Sequence, residues 1–87
     1  MNLDVTIITP QQVLYSGQTI SVSSKNNLGS FDILPEHASF ITLIQNSPIA
    51  LRTVDNQHLE FTFPLAILHL DKNKVTIYTA ITSQAQQ

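Results

Sequence analysis

The residues able to do chemistry in this chain are few and scattered. His37, His58 and His69 lie far apart and share no short metal-ligand spacing, so a zinc site would need the fold alone to gather them. Asp32, His37 and Ser39 are close in sequence and have the residue types of a hydrolytic set. A triad, however, needs its base held between nucleophile and acid, and no strained G-x-S-x-G elbow is present. Asp32 and Glu36 could share a rim as a general acid–base pair, but carboxylates are mostly exposed and solvated. Gly17 and Gly29 are the only glycines, too few for a phosphate-cradling loop. With no cysteine there is no thiol nucleophile, disulfide framework or ordinary zinc ribbon. The reading is therefore a non-catalytic protein: no catalytic residue, no metal and no cofactor.

The elements that would position any site are strands. Leu3, Val5 and Ile7 alternate with Asp4, Thr6 and Ile8; Ile20 and Val22 with Ser21 and Ser23; Leu59, Phe61 and Phe63 with Glu60 and Thr62; Val75, Ile77 and Thr79 with Thr76 and Tyr78. Phe31 and Ile33 flank Asp32 in the same way. Period-two alternation places one side of each segment in a core. Residues 38–44 and 65–70 are apolar at successive positions, which predicts burial on both faces. Turn signals recur at Pro10-Gln11, Ser16-Gly17, Lys25-Asn26-Asn27, Pro35-Glu36-His37, Asn46-Ser47-Pro48, Asp55-Asn56 and Asp71-Lys72-Asn73. This punctuation predicts an all-β flattened sandwich or barrel of about ten short, mostly antiparallel strands. One domain over residues 1–81 is expected, followed by a polar, fraying tail at 82–87.

Composition narrows the partners. At 87 residues the chain has room for one domain. Hydrophobic residues make up 43%, enough for a core, while charged residues make up only 11%. A polar but weakly charged surface is cheap to desolvate, which suits docking on other proteins, and equally suits a plain Ser/Thr-rich β protein. Net charge is −2 and the cations are Lys25, Arg52, Lys72 and Lys74, so no basic patch for nucleic acid emerges. The start, MNLDVT, has no basic and apolar signal pattern, and the apolar stretch near 63–68 is far short of the roughly 20 residues a spanning helix needs. Any membrane association is expected to run through a partner.

The most informative stretch is Gly29-Ser30-Phe31-Asp32-Ile33-Leu34-Pro35-Glu36-His37-Ala38-Ser39-Phe40. Gly29 permits a bend at a strand start, Pro35 fixes its own φ and extends Leu34, and Glu36 and His37 sit at an exposed tip. By itself this is a hairpin with a proline turn whose histidine satisfies a loop carbonyl. It also resembles the G-x-F/L-G-I-L-P-G-H-A-P signature of the epsilon subunit of F-type ATP synthase (delta in mitochondria). Leu3–Thr9, Pro10 and Val13-Leu14-Tyr15-Ser16-Gly17 resemble that family's opening strand, TPE turn and V-F-S-G segment. Ile20–Ser23 resembles its next strand, and Leu68-His69-Leu70-Asp71-Lys72-Asn73-Lys74-Val75-Thr76-Ile77 its L-E-V-x-x-x-x-V-T-V close. The similarity runs in order from residue 3 to about 81.

The resemblance implies a flattened β-sandwich of about ten strands, in agreement with the punctuation. It implies a central-stalk rotor subunit that docks on the gamma subunit and rests on the ring of c subunits. In that role it couples proton translocation to ATP synthesis, at the cytoplasmic side of a bacterial membrane, peripherally. The ring-contact loop maps to Gly29–His37, with Ser30, Glu36 and His37 as contacts. Phe40 and Thr42 of the following strand would face gamma, although Phe40 reads equally as core. The alternative is an unrelated β-sandwich binding protein or carbohydrate, which would show exposed aromatics around a groove; with no Trp and only Tyr15 and Tyr78, that pattern is thin. Asp32, Glu36, Leu65 and Ala66 stand where the resemblance expects glycines, and His69 where it expects Glu. A left-handed backbone at 32 or 36 would be strained, so an altered turn geometry is expected there. Residues 82–87 cannot form the helical hairpin of many members, which predicts no helix-based inhibition and no ATP site.

Overall fold

Alternation decides the elements, and it does so in nearly every segment. In the computed structural model, which describes residues 1–80, β1 (Leu3–Ile8) buries Leu3, Val5 and Ile7. It is followed by β2 (Val13–Asn26), β3 (Gly29–Ile33), β4 (Phe40–Ile44), β5 (Ile49–Thr53), β6 (His58–Phe61), β7 (Ala66–Asp71) and β8 (Lys74–Tyr78). The strands form one curled sheet in the order β4-β7-β8-β1-β2-β5-β6, with β3 also paired to β2. β1 and β8 run parallel; the other pairings are antiparallel. The all-β expectation holds.

The sheet folds over on itself through β2. Its first half pairs with β1, and its second half pairs with β5 and β3. The register with β5 slips between Thr19 and Ser21, one extra residue that marks a β-bulge. Inward parity changes there. Tyr15, Gly17 and Thr19 lie opposite the buried Ile7, Val5 and Leu3, whereas beyond the bulge Val22 lies opposite the buried Leu51 and Ile33. One strand thus supplies both layers. The core between them joins Leu3, Val5, Ile7, Leu68, Leu70, Val75 and Ile77 to Val22, Ile33, Ile49, Leu51 and Phe63. Each such side chain contributes about 1.5–3 kcal/mol on burial.

Four sequence expectations change. The described residues form eight strands, not about ten, because β2 is continuous where two strands were expected. Ser16-Gly17 is not a turn: Gly17 pairs with Val5, and the Tyr15 ring folds over it with its hydroxyl 2.6 Å from where a Cβ would sit. Ile20 does not share the core face with Val22, since the bulge intervenes. The runs at 38–44 and 65–70 are buried on one side only. β4 is the edge of the sheet, and the outward side chains of β4 and β7 remain open among the described residues. Residues 82–87, expected as a fraying tail, lie outside the described residues.

Candidate functional site

The loop after β3 is built on a turn. Its His37 N–H donates to the Leu34 carbonyl at 3.1 Å, with Pro35 and Glu36 as the central pair. Pro35 presets the first position, and Glu36 takes φ 72°, the sign a type II turn requires at its second position. The expectation of an altered turn is therefore wrong at Glu36: the left-handed conformation is kept without glycine. The hairpin between β7 and β8 faces it. There Lys72 (φ 52°) and Asn73 (φ 65°) form a two-residue turn of the I′ kind. The Glu36 N–H donates to Asn73 Oδ1 at 2.7 Å, and Asn73 Nδ2 donates to Glu36 Oε2 at 3.1 Å. Ser39 Oγ donates to Asp71 Oδ1 at 3.2 Å, a second tie between loop and hairpin.

His37 is exposed, its Nδ1 2.7 Å from the Ala38 carbonyl oxygen, and its ring packs on Phe40 with centroids 5.3 Å apart. Phe40 in turn meets Phe31 edge-on at 5.7 Å. Ser30 lies exposed on β3, paired with Lys25 beside the β2–β3 turn. Glu36 and His37 lie past the opposite end of β3, roughly 10 Å or more away along the strand. The three residues are not one cluster; the Phe31–Phe40–His37 contacts link their two ends.

Asp32, His37 and Ser39 do not assemble. Asp32 Oδ1 accepts from Ser23 Oγ at 2.6 Å, in ordinary β conformation, while Ser39 is bonded to Asp71. Among the described residues no three His, Asp or Glu side chains come together as a metal site. His58 and His69 are exposed on separate strands.

The outward face of β4, β7, β8 and β1 is a different kind of surface. Register places Leu43 opposite Ile67, Ile67 opposite Tyr78, Tyr78 opposite Ile8, and Ile8 opposite Val13. This apolar row crosses five strands, about 19 Å at the usual strand spacing. Leu43 is 56%, Ile67 39%, Tyr78 49% and Val13 53% exposed. An open apolar groove of about 540 Å³, lined by Pro10, Pro64, Leu65, Ile67 and Tyr78, extends it. The next row is Ile41, His69, Thr76 and Thr6, and the one beyond it ends in Lys74 and Asp4. The face thus grades from apolar to charged towards the β7–β8 turn.

Phe40 and Thr42 lie opposite the fully buried Leu70 and Leu68, so both point inward. Phe40 packs against the core, and Thr42 Oγ1 accepts from Asn26 Nδ2 at 2.9 Å. The outward residues of β4 are Ile41 and Leu43, one position away. Their signal was the two-sided apolar run, read as burial. Asn73 was visible only as a turn residue.

A sequence profile described as the ATP synthase delta/epsilon chain β-sandwich domain matches residues 2–84. The chain belongs to this family. It is 31% identical over 75 residues to the ATP synthase epsilon chain of Sulfurimonas denitrificans, covering 86% of this chain and 58% of that one. It is 28% identical over 80 residues to the epsilon chain of Xanthomonas oryzae pv. oryzae, covering 92% and 57%. The chain thus spans a little over half the length of these relatives. Its fold matches a chain in the Euglena gracilis mitochondrial ATP synthase OSCP/F1/c-ring structure, with TM-score 0.84, 11% identity and coverage of 92% and 51%. It also matches one in the Tetrahymena thermophila central stalk/c-ring structure, with TM-score 0.75, 18% identity and coverage of 93% and 65%. Within the family frame, Asp32, Leu65 and Ala66 take no positive φ, so these replacements of expected glycines carry no backbone strain.

Proposed function

We propose that this chain is a non-catalytic rotor subunit of an ATP synthase, docking on the gamma subunit and resting on the c-ring so that proton translocation is coupled to ATP synthesis. It would work peripherally, at the cytoplasmic side of a bacterial membrane. Family membership and the two stalk-and-ring structures support the assignment. The observation that carries the docking is the apolar row Leu43, Ile67, Tyr78, Ile8 and Val13, contiguous across five strands of a weakly charged chain. A torque-bearing contact needs shape-matched apolar area, and stable interfaces bury about 1,200–2,000 Å² in total. A five-strand face with its apolar side chains already in register offers such area.

In this reading Ile41 and Leu43, rather than Phe40 and Thr42, face gamma. Glu36 and His37, held by the β7–β8 hairpin, offer the ring a rigid polar tip, and Ser30 offers a second contact beside the β2–β3 turn. The test is co-expression with gamma from the same genome. The wild-type chain should co-purify at low and high salt, because the contact is mainly apolar. The pair Leu43→Asp and Ile67→Asp, both on the solvent face, should keep the β circular-dichroism signature and weaken capture by about 30-fold or more, as loss of central anchors does. A wild-type monomer that ignores gamma at both salt concentrations would defeat the proposal.

A further inference from the structure

We infer that Asn73 is a positioning residue for the ring-facing loop, standing in for the glycine that the tip lacks. The inference deepens the rotor reading and rests on it. Glu36 occupies a turn position where a side chain is disfavoured and glycine is the unstrained choice. The turn's own bond, from His37 N–H to the Leu34 carbonyl, leaves the Glu36 N–H and carboxylate free to bond outside the turn. The Asn73 amide does so from both sides: its oxygen accepts the Glu36 N–H at 2.7 Å, and its nitrogen donates to the Glu36 carboxylate at 3.1 Å. The reach depends on where Asn73 sits. It is the second residue of the β7–β8 turn, itself at φ 65°, a place where glycine is the stronger turn former and asparagine is tolerated. Glycine there would satisfy the hairpin and leave Glu36 unheld. Two left-handed residues, 37 positions apart in the chain, are thus coupled through one side chain. Because β7 and β8 also carry the apolar row through Ile67 and Tyr78, the clamp ties the ring-facing tip to the strands that would grip gamma. A loop so anchored moves with the shaft-facing layer instead of bending against it.

The critical variant is Asn73→Gly, which removes the clamp but suits the hairpin, so the chain stays folded. In the isolated chain, amide exchange at Glu36 should become about tenfold faster, the effect of losing one good hydrogen bond, while the amides of Leu68 and Val75 keep their protection. In assembled enzyme, ATP-driven proton pumping per ATP hydrolysed should fall. Unchanged Glu36 exchange in Asn73→Gly would show that the clamp does not act in solution and would overturn the inference whatever the enzyme does. Faster Glu36 exchange with unchanged pumping would overturn the positioning role and leave the rotor reading standing. A wild-type chain absent from the assembled enzyme would remove the rotor reading and this role with it, the exchange result then describing a structural tie alone.

Discussion

Two residues show how much a single side chain can decide here. Thr19 is fully buried at the β2 bulge, and its Oγ1 has no hydrogen-bond partner among the described residues. A buried hydroxyl without a partner costs roughly 1–3 kcal/mol relative to an apolar group of the same shape. Thr19→Val, which keeps the β-branched volume, should therefore stabilise the chain by about 1 kcal/mol in urea denaturation. A loss of stability would mean that the hydroxyl is satisfied in solution. Glu36 is the opposite case, a residue whose conformation is unfavourable but whose N–H and Oε2 both meet the Asn73 amide. Neither could be judged from its own neighbours in sequence.

Among the elements, β2 has the most to answer for. It is the one strand shared by both layers, and the bulge at Thr19–Ser21 is what lets it face inward in each. The extra residue resets the period-two alternation, so that Thr19 and Val22, three positions apart, both face in. Deleting Ile20 should make the ladder regular, keeping Thr19 and Val22 inward but removing the bend that brings the two layers face to face. Losing several core contacts of about 1.5–3 kcal/mol each exceeds what a domain of this size can spare, so the deletion should leave an unfolded chain with poor amide dispersion in its NMR spectrum. A well-dispersed spectrum would show that the bulge is not needed to turn the corner. Inserting one alanine between Asn27 and Leu28, at the exposed β2–β3 turn, is the matched control and should leave the spectrum dispersed.

At the scale of the whole molecule, neighbouring strands carry two jobs on two faces. Leu68 of β7 is fully buried between the layers, while Ile41 of β4 is 66% exposed on the outer face. Leu68→Ala should cost about 3 kcal/mol, the usual result of opening a cavity in a packed core. Ile41→Ala should change stability by less than about 0.5 kcal/mol. Urea melts of the isolated chain would separate the two, and equal losses would mean that the outer face is covered in solution. The apolar row on the outer face is contiguous across five strands, and the proposed docking rests on that contiguity.

Much of this was legible in advance. The alternation of Leu3, Val5 and Ile7, of Leu59, Phe61 and Phe63, and of Val75 and Ile77 was sufficient to call the strands, because a period of two is a local property. The turn at Asp71-Lys72-Asn73-Lys74 was legible for the same reason, as was the collinear family signature from residue 3 onward. What composition and periodicity could not settle is which of two apolar faces would be covered. Ile41, Leu43 and Ile67 read like core until the outer face of β4 and β7 is seen to be uncovered among the described residues. Likewise, Ser16-Gly17 looks like a turn until the Tyr15 ring is found lying over Gly17, and Glu36 looks misplaced until Asn73 reaches it. The strands and turns follow from neighbours a few residues apart; the exposed face, the bulge and the clamp depend on pairings between distant segments, and those exist only once the sheet has folded over.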